Sequence, residues 1–249
     1  MRFVSRTVIA AAALSLLAGG VVAQSALTRV PAEVQAGAYA LDSAHGKITW
    51  SVDHMGFSTY KGQFVNVDAD LTLDPADPSA ATLTATIPLT EVDSNSDGLD
   101  AHLQTVDFFD TANHPVATYV SRSVTVDPAA PNRATVQGDL TLRGVTRPVT
   151  MTVRFNQAGP SMGGLYRAGF DGEATVRRSD FGITYGLPGL GDEVSLHIEG
   201  EFTRPLSGSP STAEYRARAS SGGPRLSPVW STRSSTSRPP RANTSASPT

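Results

Sequence analysis

The chain has 249 residues, 39% of them hydrophobic, with a formal net charge of −3 and no cysteine. Lack of cysteine excludes a disulfide framework, thiolate catalysis, Cys-based zinc sites and iron–sulfur ligation. Residues 24–205 carry 12 basic and 22 acidic side chains, a net −10, while the segment from Leu206 onward carries six Arg and one Glu. So acidic a domain lacks the clustered Lys and Arg that phosphate contacts require, which excludes nucleic acid as its expected partner.

At the N-terminus, Arg2 and Arg6 precede the apolar run "TVIAAAALSLLAGGVV", and a small-residue cleavage signal ends at Ala23. The run is short for a bilayer span, so residues 1–23 read as a secretory signal peptide and the mature protein is expected to be periplasmic or secreted. Residues 24–37 read as a linker.

From Ala38 the chain becomes a succession of short runs of period two. Ile48, Trp50 and Val52 share one face; so do Val67, Ala69, Leu71 and Leu73, and Leu83, Ala85, Ile87 and Leu89. Val136, Gly138, Leu140 and Leu142 form a further set, as do Val149, Met151, Val153 and Phe155, and Val194, Leu196, Ile198 and Phe202. Such runs, separated by Gly, Pro, Asp and Asn, predict an all-β antiparallel barrel or sandwich over residues 38–205. One interruption, roughly Ser96–Thr105, reads as helical, with Ser96 or Asp97 as N-cap, and is expected to form a plug or lid. After Pro205 the sequence turns Ser-, Pro- and Arg-rich, and residues 206–249 are expected to be a disordered tail. Its arginines suit peripheral contact with an anionic membrane; the plainer alternative is a solvated extension.

Three motifs invite chemistry. "DSNSDG" at Asp93–Gly98 matches the start of a calcium loop, but Gln104 stands where a bidentate Glu is needed and a strand precedes the loop. The expected role of its Asp and Asn side chains is turn formation and capping. "GPSMG" fits the nucleophile-elbow pattern around Ser161, but that motif needs a strand-to-helix turn, and here another strand follows. His45, His54, His102 and His114 show no local ligand spacing, so no metal is expected.

Four segments, "YALDSAHGKITWSVDHMGFSTYKGQF", "DAHLQTVDFFDTANHPVATY", "GDLTLRGVTRPVTMTV" and "RRSDFGITYGLPGLGDEVSLHIEGEF", together resemble the YceI-like family of bacterial periplasmic proteins. The resemblance implies a lipocalin-like eight-stranded antiparallel barrel, with a short helical insertion near its mouth and an apolar tunnel. It implies binding of a polyisoprenoid or other long-chain amphiphilic lipid, including fatty-acid and amide types, with no enzymatic role and no cofactor. Expected wall residues are Trp50, Val52, Phe57, Phe64, Leu71, Ile87, Leu103, Phe108, Phe109, Tyr119, Leu140, Phe170, Phe181, Ile183 and Leu196. Head-group candidates are His45, His54, His102, Arg143 and Arg178. Gly46, Asp53 and Leu99 depart from the family's usual Ser, basic residue and Arg, and each departure removes a polar handle for an anionic head group. The alternatives are a barrel filled by its own side chains, without a ligand, and a serine hydrolase built on Ser161 and His197.

Overall fold

The structure, a computed structural model, describes residues 27–206. The expected signal peptide and nearly all of the expected tail lie outside the described residues.

Ten strands form one antiparallel sheet: β1 (Gly37–His54), β2 (Ser58–Phe64), β3 (Asp68–Leu73), β4 (Thr82–Pro88), β5 (Val92–Asp93), β6 (Val116–Asp127), β7 (Ala130–Leu142), β8 (Val145–Ser161), β9 (Leu165–Arg177) and β10 (Leu190–Pro205). Eight of them close a barrel in the order β1, β3, β4, β6, β7, β8, β9, β10 and back to β1. The eighteen-residue β1 pairs with β10 along one edge. On its other edge it pairs first with β3, through Gly37–Ala40, and then with β2, through Ile48–His54. The β5 strand adds only to the end of β2.

Period two explains this closure. Each strand's apolar set turns to one face, and closing the eight strands puts that face inside, while β2 is paired on its outer edge by β5 only at Gln63 and Phe64. Outside, cross-strand ion pairs join Lys47 to Glu199 at 3.2 Å and Arg177 to Glu193 at 3.4 Å, and others join Arg122 to Asp139 and Arg154 to Asp171. Such exposed pairs contribute at most about 1 kcal/mol each, so the interior dominates the energetics.

Two glycines make room for large rings. Gly62 faces Trp50 across the β1–β2 ladder, and a Cβ at 62 would overlap the indole. At Gly138 a Cβ would stand 2.5 Å from the Tyr119 ring and 2.6 Å from the Val120 carbonyl oxygen, which is backbone and cannot swing aside.

The helix α1 (Asp97–Leu103) forms where the sequence predicts it, with Ser96 in the N-cap position and its carbonyl accepting from Asp100 N–H at 2.9 Å. Residues 27–37 differ from the expected linker. Thr28 and Ala158 exchange backbone hydrogen bonds of 2.7 and 2.8 Å, and Val34 is buried against Tyr39, Phe155 and Tyr166. The barrel's end needs an apolar cover, and this segment supplies it.

Gly138→Ala is expected to lower stability by about 1–3 kcal/mol through overpacking. Gly98→Ala, in α1 with nothing within 4 Å of the added methyl, is expected to raise it by about 0.5–1 kcal/mol. Denaturant unfolding of the two variants reads the opposite signs.

Candidate ligand-binding tunnel

The barrel encloses two chambers. The upper one, about 360 Å³, lies under α1 and is walled by aromatic side chains, among them Trp50, Tyr60, Phe64, Phe108, Phe109 and Tyr185. The lower one, about 380 Å³, is walled mostly by aliphatic ones, with Val67, Leu71, Leu83, Val136, Met151 and Ile198 prominent, and Pro31, Pro75, Pro78 and Pro131 at its far end. Ile48, Ile87, Leu140 and Leu196 belong to both walls, so the chambers meet at their level.

Of the expected wall residues, Trp50, Val52, Phe64, Leu103, Phe108, Phe109 and Ile183 line the upper chamber. Leu71, Tyr119 and Phe170 line the lower one, and Ile87, Leu140 and Leu196 line both. Phe57 does not: it is 86% exposed in the β1–β2 turn, beyond the last inward position. Phe181 is buried at the end of a short 3-10 turn, packed against the upper cluster but behind the chamber wall. Much of the lower wall, including Ile48, Leu83, Val136, Met151, Phe155 and Phe202, was absent from the expected set. The signal was present, since each belongs to one of the alternating apolar sets of its strand.

The stretch Asp93–Asp110 forms the lid's frame. The Asp93 carboxylate accepts from Gln63 Nε2 at 2.9 Å and Asn95 N–H at 2.8 Å, and these bonds hold its pKa below the ordinary carboxylate value. Asp100 accepts from Ser94 N–H at 2.8 Å and from the Ser94 hydroxyl at 2.6 Å. The acidic groups therefore fold the loop, leaving the apolar face of α1, with Leu99 and Leu103, toward the chamber. Among the described residues no group of three or more His, Asp or Glu converges as a metal site.

The five head-group candidates separate. His54 and His102 reach the upper chamber. His54 packs its ring on Tyr60 (centroids 6.1 Å apart), while His102 Nε2 lies 3.0 Å from the Asp107 carboxylate and stands edge-on to Phe108 and Tyr185. His45 sits in a bulge of β1, 2.9 Å from Asp42 and outside both chambers. Arg143, in the β7–β8 turn, also lies outside: it donates to the carbonyls of Gly182 and Val106, at 2.7 Å each, and so clasps two mouth loops together. Arg178 lines the upper chamber, but its guanidinium donates to the carbonyls of Gly191, Ile183, Tyr185 and Leu190 at 2.7–3.3 Å. Burial lowers its pKa against the opposing pull of Asp192. Both arginines thus hold the 182–191 loop and its neighbours in shape.

Ser161 and His197 do not form a catalytic pair. Through β9, Ser161 is opposite Leu165 and His197 is opposite Glu173, eight residues apart along the strand. At about 3.3 Å per residue the two positions are separated by about 26 Å.

Tyr119 shows how the wall treats polarity. Its hydroxyl donates to the Val136 and Val149 carbonyls at 3.4 and 3.3 Å. Burial, reinforced by Asp139, pushes its pKa from 10.0 to about 12. Tyr39 in the lower cluster is likewise raised to about 12 by burial, against the opposing influence of Arg204. A raised folded-state value favours the neutral phenol, so this contribution is full below pH 10 and is lost as pH climbs from 10 towards 12. Alkaline unfolding followed by circular dichroism should show that loss, and Tyr119→Phe should shrink it.

A family profile described as the YceI-like domain matches residues 39–202. A UPF0312 protein of Pseudomonas aeruginosa is 37% identical over 163 residues, 66% of this chain and 84% of that one. The crystal structure of BcnA from Burkholderia cenocepacia matches with a TM-score of 0.56 at 25% identity, covering 65% of this chain and 98% of that one. The same fold, with a TM-score of 0.51 at 14% identity, occurs in a polyisoprenoid binding domain from Saccharophagus degradans, covering 69% of this chain and 100% of that one. The matched residues are those that build the barrel and its lid, and the chain belongs to the YceI-like family.

Proposed function

We propose that the protein binds a long apolar chain, of polyisoprenoid or fatty-acid or amide type, along the two chambers and sequesters or carries it outside the cytoplasm. The observation that carries this reading is an interior walled by apolar side chains on every strand of the barrel. The polyisoprenoid binding domain of the same fold supports it, and the signal-like N-terminus supports the location. Each buried methylene contributes about 0.8 kcal/mol, so a dozen or so supply about 10 kcal/mol against the association cost. Binding of this kind calls for no nucleophile and no cofactor, and a non-enzymatic role fits the Ser161–His197 separation.

The mouth favours a neutral head group. Arg143 and Arg178 are committed to carbonyls, Leu99 offers no charge, and His102 stands beside a carboxylate. In a Trp230→Phe background Trp50 is the remaining indole, on the upper chamber's wall. Farnesol should change its emission saturably, and farnesyl diphosphate should bind no more than about tenfold tighter, the equivalent of about one charge-assisted hydrogen bond. An unchanged Trp50 spectrum in the folded protein would count against the tunnel as a binding site. A much larger preference for the diphosphate would show a cationic head-group site at the mouth.

A further inference from the structure

The geometry points to a second ligand site on the outside of the barrel, a polar cleft between the bulges of β1 and β8 that takes a neutral saccharide. The cleft, about 870 Å³, lies over the outer face of β9 and β10. Both of its walls are interruptions of the ladder. On one side, residues 42–45 of β1 stand opposite Glu201 alone, between the Leu41–Phe202 and Gly46–Gly200 pairs. On the other, Asn156 is the extra residue of β8 between the Phe155–Phe170 and Gln157–Gly169 pairs. Bulges turn side chains out of a strand's alternation, and these two turn theirs to one space. Ser43, His45, Asn156, Ser161 and Arg167 line it, and none of the five lines either chamber. The site is therefore independent of the apolar-ligand reading.

The cleft's charges are already matched. Arg167 is held by Asp42 at 2.9 Å and by Glu201, Lys47 by Glu199 at 3.2 Å, and Asp171 by Arg154. Little net charge is left to attract a polyanion or a polycation, and the groups left open are neutral. The hydroxyls of Ser43 and Ser161 and the Nε2 of His45 have no partner among the described residues. Asn156 Oδ1 and Arg167 Nε are buried without one. Unpaired buried polar atoms are rare in folded chains and destabilise them, so two beside one cleft call for a role. Hydroxyl and imidazole groups both donate and accept, as the hydroxyls of a sugar do, whereas a hydrocarbon chain would leave them unpaired. The floor leaves room for a ring: a Cβ built on Gly169 meets nothing nearer than the Gln157 carbonyl oxygen at 3.8 Å.

The test titrates the full-length protein with maltotriose, cellotriose and tri-N-acetylchitotriose, with trialanine as the peptide control, and follows amide NMR shifts. At least one trisaccharide should shift the amides of residues 43–47 and 156–161 saturably in the millimolar range, with the Trp50 indole unmoved. Gly169→Leu puts a side chain into the cleft from a position where the added Cβ meets no clash, and should weaken that binding at least about tenfold. Replacing Ser43 and Ser161 together by Ala removes two hydrogen-bonding groups and should weaken it about tenfold as well. No saturable shift at these amides with any of the three trisaccharides overturns the inference. So does trialanine binding there as tightly as the sugar, a measurement that needs no variant. Trisaccharide binding that is unchanged in either folded variant overturns it too.

Discussion

Closure of the sheet by the β1–β10 pairing is the constraint on which the rest of the structure depends. An open sheet with these apolar faces would expose them on one side; the closed one turns every inward set into a single interior. Closure also fixes what can happen at the barrel's ends. Hairpin turns and the 27–37 segment cover one end, with Val34 buried there, while α1 and the 103–110 and 182–191 loops cover the other.

Polar groups at the mouth are organised so that they support the lid without placing unpaired charge in the interior. Asp93 and Asp100 are turned to backbone amides and short side chains of their own loop. Arg143 and Arg178 give their donors to backbone carbonyls of the mouth loops and of the start of β10. Desolvating a guanidinium is costly, and the four carbonyls around Arg178 offset that cost in place of a carboxylate. The electrostatics of the acidic chain thus stay on the outer face and in the loops, and the chambers remain apolar.

The barrel was legible because alternation survives in the sequence: Ile48, Trp50 and Val52 face inward, as do Leu83, Ala85 and Ile87, and Val149, Met151 and Val153. The helix at Asp97–Leu103 was legible from its capping residues and from the turn-forming stretch before it. What alternation does not encode is where it stops. Phe57 looks like one more wall aromatic, yet it lies an odd number of positions from Phe64 and just outside β2, so it points to solvent. The β1 bulge at residues 42–45, which carries His45 away from the chambers, arises from pairing with a strand some 150 residues distant. Arg143 and Arg178 stand among the head-group candidates because their partners are backbone carbonyls, which carry no sequence signal. The segment 27–37 lacks a strand pattern, and its burial follows from the barrel end it covers.

The account's central claim is that the chambers hold a long apolar chain. Native mass spectrometry of the full-length protein recovered from an exported fraction, followed by organic extraction, tests it most directly. The account predicts a stoichiometric adduct that extracts as a linear prenyl or long-chain alkyl compound. A bare mass, together with no uptake of added solanesol or farnesol by the folded protein, would contradict it and leave a barrel whose interior serves only its own stability.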